Sequence, residues 1–239
     1  MGFSSHTGER LRRYWATRLG VSLKAFEESG ITVGSTDEGG VQLFRHEDSL
    51  VVSAPASFLD AVERHAPALE SLDFDDSDAV VEWFDSFLSL SKLLGPAFYG
   101  YTDREGFQPV SSDARLLGVA DEPAFDTFQA SVSDDEWDAG GPEFGPKTTV
   151  GQFVDGRLVA VAGYEVWDDL IAHISVVTHP DHRNAGHGRA VVSRVTELAL
   201  SRDLLPQYRT LNAWPWSVAL AENLGFERFA TSYFGRFDG

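Results

Sequence analysis

Apolar and aromatic residues at Leu11, Tyr14, Trp15, Leu19, Leu23 and Phe26 recur at helical spacing and predict a helix within residues 1–30, broken by Gly30 and Gly34. Two short apolar runs, VQLFR and SLVVSAP, then predict strands joined through a polar turn over 46–49, as in a hairpin. Helices are expected at 57–65 and 77–94, the second capped by Ser77 or Asp78, and AFYGYTD reads as a strand. A second block opens near Ser112. There ARLLGV predicts a strand, 122–131 and 134–137 predict short helices, and AGGPEFGP predicts a loop. The segment TTVGQFVDGRLVAVAGYEVW predicts a hairpin turning at Asp155-Gly156, a dipeptide suited to the tight two-residue turn. LIAHISVVT is the next strand, and 186–202 a helix with Val191, Val192, Val195, Leu198 and Ala199 on one face. YRTLNA predicts a strand, 217–223 a helix ended by Gly225, and FERFATSYFGRF a final strand. The chain thus divides into a block over 1–111 and a block over 112–239.

Composition narrows the classes. The 239 residues are 43% hydrophobic, enough for a real core rather than a disordered chain. There is no cysteine, which excludes disulfides, thiolate metal sites and a cysteine nucleophile. The first residues are too polar for a secretory signal, and no apolar run approaches the roughly 18 residues of a membrane span. A cytoplasmic protein is expected. Lys+Arg number 19 against 37 Asp+Glu, a formal net charge of −18, and lysine occurs only at Lys24, Lys92 and Lys147. Such a surface disfavours nucleic acid and anionic membrane as partners. Acidic, lysine-poor composition also points to a halophilic source, where salt screens self-repulsion.

One segment reverses the local charge. Between a predicted strand and helix lie Arg183, Asn184, Ala185, Gly186, His187 and Gly188, within a stretch 179–194 that carries three histidines and three arginines. Gly186 and Gly188 permit backbone angles and close approaches that other residues resist. The first amides of a helix lack internal partners, and the helix dipole adds partial positive charge. The combination predicts an anion site, with Arg183, and Arg189 or Arg194, able to meet phosphate oxygens. The spacing is neither a P-loop nor a three-glycine dinucleotide fingerprint. His179, His182 and His187 have only Asp181 beside them and complete no convincing ligand set, so no metal is expected.

The pattern Val177-x-x-Pro180-x-x-Arg183-x-x-Gly186-x-Gly188 resembles the acetyl-CoA loop of the GNAT superfamily of N-acetyltransferases. The element order from about Ala114 to Phe237 is similar to that superfamily's, and LAENLGF (220–226) resembles its usual ending of the helix after the fifth strand. The resemblance implies a mixed α/β (α+β) fold. Its sheet would be mostly antiparallel and flanked by helices over 112–239, preceded by a smaller α/β half over 1–111 that is acceptor-side or a degenerate copy. It further implies a strand that splays from its neighbour at Val176, Val177 and Thr178, where pantetheine meets exposed backbone. An amide in that stretch would polarise the thioester carbonyl, and an amine would attack directly in a ternary complex. Ser217 matches a serine common in related members and joins the expected cofactor contacts.

Family chemistry transfers less completely. Ala221 stands where a tyrosine general acid is frequent, and Trp214 where an asparagine is. Strand alternation turns Ala172, Ile174 and Val176 to one face and His173 and Ser175 to the other, toward the expected acceptor cleft. His173 is a candidate base because an ordinary histidine titrates near neutrality, and Glu165 on the preceding strand is the other. Either residue is otherwise a satisfied strand residue. Tyr164, Tyr208 and Tyr233 are candidate proton donors, Tyr208 foremost. The acceptor pocket is expected between DDEWDAGG, the motif strand and the N-terminal half. Two functions remain open: an acetyl-CoA-dependent N-acetyltransferase acting on an unidentified amine, or a non-catalytic CoA-binding sensor. Similar families commonly form dimers, which makes a homodimer a candidate assembly.

Overall fold

The structure is a computed structural model that describes residues 3–237. In chain order the elements are α1 (Ser5–Arg18), β1 (Gly30–Ser35), β2 (Gly40–His46), β3 (Ser49–Ala54), α2 (Leu59–His65), α3 (Ser77–Asp85) and β4 (Leu90–Tyr101). There follow β5 (Arg115–Leu116), α4 (Glu122–Gln129), α5 (Asp134–Gly140), β6 (Val150–Val154), β7 (Arg157–Trp167), β8 (Ile171–Thr178), α6 (His187–Ser201), β9 (Leu205–Leu211), α7 (Pro215–Glu222) and β10 (Glu227–Phe237). The described chain forms two compact units. One comprises Ser4–Tyr99, Thr210–Pro215 and the chain from Arg228 on; the other comprises Gly100–Arg209 and Trp216–Glu227. Compactness therefore divides the chain at Tyr99/Gly100, and the last strand returns to the first unit rather than staying with the block that precedes it. A β-strand satisfies its backbone by pairing, and β10 finds its partner in β2.

In the first unit the strand order is β1-β3-β2-β10-β4. The hairpin β2–β3 forms as expected, with His46 opposite Ser49 and the Ser49 hydroxyl donating to the His46 carbonyl at 2.7 Å. β10 lies antiparallel to β2, and Leu43, Val52, Phe74, Trp83, Phe84 and Tyr233 share one core. Three expectations fail here. The predicted N-terminal helix resolves into α1, started by the Ser4 hydroxyl accepting from the Thr7 amide, and a separate 3₁₀ turn at Leu23–Phe26; residues 1 and 2 of the prediction lie outside the described residues. Gly30 and Gly34 do not break the chain but belong to β1, which runs parallel to β3. A Cβ on Gly34 would stand 2.2 Å from the Leu19 carbonyl oxygen, so this glycine permits a close backbone crossing. The helix predicted over 77–94 stops at Asp85, capped at its start by Asp76 rather than by Ser77 or Asp78, and Leu90 opens β4. Leu90 and Leu93 pack on the same cluster as Val80 and Phe84, so their apolar spacing serves a strand.

In the second unit the order is β9-β8-β7-β6-β5. The β6–β7 hairpin turns at Asp155 (φ 49°) and Gly156 (φ 77°), the two left-handed residues that the sequence anticipates. α6 packs against β6, β7 and β8 through a face containing the buried Val191, Val192, Val195 and Ala199. Another cluster joins Phe125 and Phe128 of α4 to Leu117, Val161 and Val177. β9 begins at Leu205, earlier than YRTLNA suggests, because Ile171 to Ile174 of β8 need parallel partners there. Gly225 ends the α7 segment at φ 82°, where a Cβ would meet the Gly106 carbonyl oxygen at 2.0 Å. Among the described pairings only β1–β3 and β8–β9 are parallel. The fold is mixed α/β with a mostly antiparallel sheet flanked by helices, as anticipated. No helix among the described residues is long and apolar enough to cross a membrane.

Candidate functional site

The glycine-containing loop over 183–188 leads straight into α6. Pro180–His182 forms a short 3₁₀ turn, and Asn184 (φ 61°) and Gly186 (φ 85°) both adopt the left-handed conformation. Asparagine and glycine are the residues that reach it at least cost. Gly186 caps α6 without any side-chain hydrogen bond, having no side chain to supply one. A Cβ at Gly186 would meet nothing within 4 Å, whereas at Gly188 it would lie 2.9 Å from the Thr178 hydroxyl and 3.4 Å from Leu220. The first glycine faces open space; the second lets α6 seat against the end of β8. Arg183 donates from Nε to the Thr178 carbonyl at 3.3 Å and from Nη2 to Glu136 Oε1 of α5 at 2.5 Å. His187 begins α6, with its ring 6.1 Å from that of His182, and Ala185 lies between the two left-handed residues. Among the described residues no group of His, Asp or Glu is arranged to hold a metal.

β8 and β9 part company beside this loop. Their parallel ladder runs from Ile171↔Leu205 to Ile174↔Tyr208 and stops, although β8 continues to Thr178 and β9 to Leu211. Val176, Val177 and Thr178 remain paired on their other side with Ala162, Val161 and Ala160 of β7. Backbone on the β9 side of 175–178 is therefore left without that neighbour. Tyr208 sits at the root of the gap, buried, with its hydroxyl 3.0 Å from Ser217 Oγ of α7. Burial raises its pKa, opposed by the Ser217 hydrogen bond. The structure thus joins two residues that sequence reasoning assigned to separate roles. Ala221 is fully buried, so the alternative tyrosine position offers no acid. Tyr164 is held by Arg202, and Tyr233 lies in the first unit, donating to the Phe74 carbonyl.

His173 and Glu165 are register partners across β7–β8 and share a face. The Trp167 ring stacks on the His173 ring at 4.2 Å, and its indole N–H reaches Glu165 Oε2 at 3.3 Å. His173 Nδ1 lies 2.8 Å from Gln207 Oε1. An amide oxygen only accepts, so the neutral ring carries its proton on Nδ1 and its lone pair on Nε2. The Gln207 amide nitrogen in turn donates to the buried Tyr101 hydroxyl. Burial first, then the Arg209 charge, pushes the His173 pKa down to about 4, with the Gln207 bond opposing. That is well below the near-neutral value assumed from sequence. Trp167, Gln207, Tyr101 and Arg209 escaped the sequence reading. Trp167 was legible by alternation from Glu165, but Gln207 and Tyr101 became neighbours only through the β8–β9 pairing and the fold around it.

Residues 148–233 match the family model of the GNAT acetyltransferases. The chain is similar to a GNAT-family acetyltransferase from Colwellia psychrerythraea, with 12% identity over 85% of this chain and 80% of that one and a TM-score of 0.51. It is also similar to a GCN5-related N-acetyltransferase-like protein from Streptococcus suis, with 17% identity over 95% and 100% and a TM-score of 0.46. No curated protein matches in sequence. The family match thus covers 148–233, and the first of these structures shares the fold.

Proposed function

We propose that the C-terminal part of the chain, expected over 112–239, transfers an acetyl group from acetyl-CoA to an amine by direct attack in a ternary complex. The observation that carries this reading is the uncapped α6 N-terminus beside the stretch of β8 that β9 has left. The residues fit the cofactor: a helix start without a side-chain cap, glycine where bulk would intrude, and strand backbone that β9 has left, the Thr178 carbonyl alone being taken by Arg183. Bound acetyl-CoA would supply an activated thioester carbonyl. Arg183, Asn184, Ala185, Gly186, His187 and Gly188 would hold its pyrophosphate, Arg183 exchanging or sharing Glu136. Val176, Val177 and Thr178 would offer backbone to pantetheine, with Ser217 beyond them. His173, through Nε2, would take a proton from the acceptor, and Glu165 on the same face is the alternative. A base held near 4 has little drive against a free ammonium, so its use requires an acceptor whose own pKa falls in the site. Tyr208 would return a proton to the departing sulfur, which explains its buried hydroxyl pair with Ser217. We further read residues 1–111 as either an acceptor-side half or a degenerate copy of the following block, and the protein as a cytoplasmic enzyme.

The bond that occupies Tyr208, together with a histidine held neutral, favours one rival: a CoA-binding sensor without turnover. Release of free CoA thiol and mass spectrometry of acetylated amines separate the two. Tyr208→Phe in the enzyme reading lowers kcat by about 100-fold while CoA still binds. CoA binding without thiol release from any amine establishes the sensor; absence of CoA binding removes both readings.

A further inference from the structure

Next to Ser175, the first residue of β8 past the end of the β8–β9 ladder, lies a cavity of 270 Å³. Its walls include Pro142, Glu143, Phe144, Thr148, Glu165 and Ser175, and none of its lining residues is a lysine, arginine or histidine. Ser175 pairs with Gly163 and Glu165 with His173, so the cavity adjoins the strand face that bears the candidate base. One wall is built in: a Cβ on Gly163 would stand 2.8 Å from Pro142 Cβ, so the 142–145 loop seats on β7 because that residue is glycine. At about 30 Å³ per water the space holds roughly nine waters, below the usual size of a drug-sized pocket. It fits the end of a small molecule.

We propose that this cavity receives the acetyl acceptor and that the acceptor is a dication, a slim aliphatic diamine whose reacting ammonium lies toward Glu165 and whose second ammonium pairs with Glu143. The proposal rests on the acetyl-transfer reading. Glu143 and Glu165 supply counter-charge, Thr148 and Ser175 supply hydroxyls, and Pro142 and Phe144 supply apolar wall for the stem. The ammonium first loses one proton to solvent by way of Glu165 or His173 Nε2, and reaction proceeds from the small neutral fraction. The freed nitrogen then bonds to the acetyl carbon as the carbon–sulfur bond breaks, and its second proton goes to the thiolate. The net change is ammonium plus thioester to amide, thiol and one released proton.

The test compares 1,5-diaminopentane with 6-aminohexanoate, which keeps the aliphatic amine and replaces the second ammonium with a carboxylate. Wild-type protein should show kcat/KM at least about tenfold higher for the diamine. Glu143→Gln should narrow that ratio by about threefold, an exposed-pair magnitude, and Glu143→Lys should narrow it further, with the KM for acetyl-CoA unchanged in both. A ratio that Glu143→Lys leaves unmoved, or a wild-type preference for 6-aminohexanoate, overturns the proposal. Nuclear magnetic resonance titration with 1,5-diaminopentane should shift the amides of Ser175 and Gly163 in the CoA-free protein. If acetyl-CoA neither binds nor turns over, the acetyl-transfer reading fails, and the titration alone decides the cavity: unmoved Ser175 and Gly163 amides refute cation binding there.

Discussion

Gly186 offers a test in which stability and affinity should move in opposite directions. Its φ of 85° and the open space where a Cβ would stand mean that a replacement side chain meets backbone cost but no clash. Asparagine and aspartate are nearly isosteric and share that cost, about 1 kcal/mol, so it cancels between Gly186→Asn and Gly186→Asp. What remains is one negative charge at the N-terminus of α6. In the free protein that charge favours the helix dipole by about 0.5 kcal/mol, raising Tm by about 1–2 °C relative to asparagine. Against a bound pyrophosphate the same charge is repulsive. Two phosphate charges about 6 Å away, even at the dielectric of water, cost about 1.4 kcal/mol, or about tenfold in CoA affinity. Thermal melts and calorimetric CoA titrations of the two variants at pH 7.5 and low salt read both numbers. If the aspartate and asparagine variants bind CoA equally, the pyrophosphate does not sit at this helix start.

Further expectations follow from the same structure. The folded-state pKa of His173 is depressed from 6.5 to about 4, so its contribution to stability is present above 6.5 and is lost as pH falls toward 4. His173→Phe should flatten the stability profile over that window, by no more than about 3 kcal/mol; equal pH slopes in both proteins would show that the ring is not held neutral. With a net charge of −18, Tm should rise between 0.1 and 1 M potassium chloride as the screening length falls from about 10 to 3 Å. CoA affinity should fall over the same range, and a flat or falling Tm would reject the halophilic reading. Gly225→Ala places a Cβ 2.0 Å from the Gly106 carbonyl oxygen at a φ of 82°, and should destabilise by more than about 2 kcal/mol in chemical denaturation.

Local pattern carried much of the second unit. The Asp155-Gly156 turn, the buried face of α6 and the loop from Arg183 to Gly188 were readable because each is dictated by a few neighbouring residues: two that tolerate positive φ, a 3.6-residue period, and glycines before a helix. The resemblance to the GNAT loop rests on the same short spacing, and it supplied the cofactor and the expected splay at Val176. The first unit was less legible. Gly34 looks like a helix breaker until the Leu19 carbonyl is found beside it, and the leucines after Asp85 fit helical and strand periods equally well.

What sequence alone determined, then, is each segment's local preference and the glycine turn that opens α6, since both depend on residues adjacent in the chain. Only the tertiary structure decided which strands pair. That choice ended the β8–β9 ladder at Ile174↔Tyr208, set Gln207 against His173, joined Tyr208 to Ser217, and brought the 142–145 loop over Gly163. These contacts link residues between nine and 34 positions apart or lie across a strand register. No periodicity encodes them, because pairing is selected by the burial and hydrogen bonding of the whole sheet.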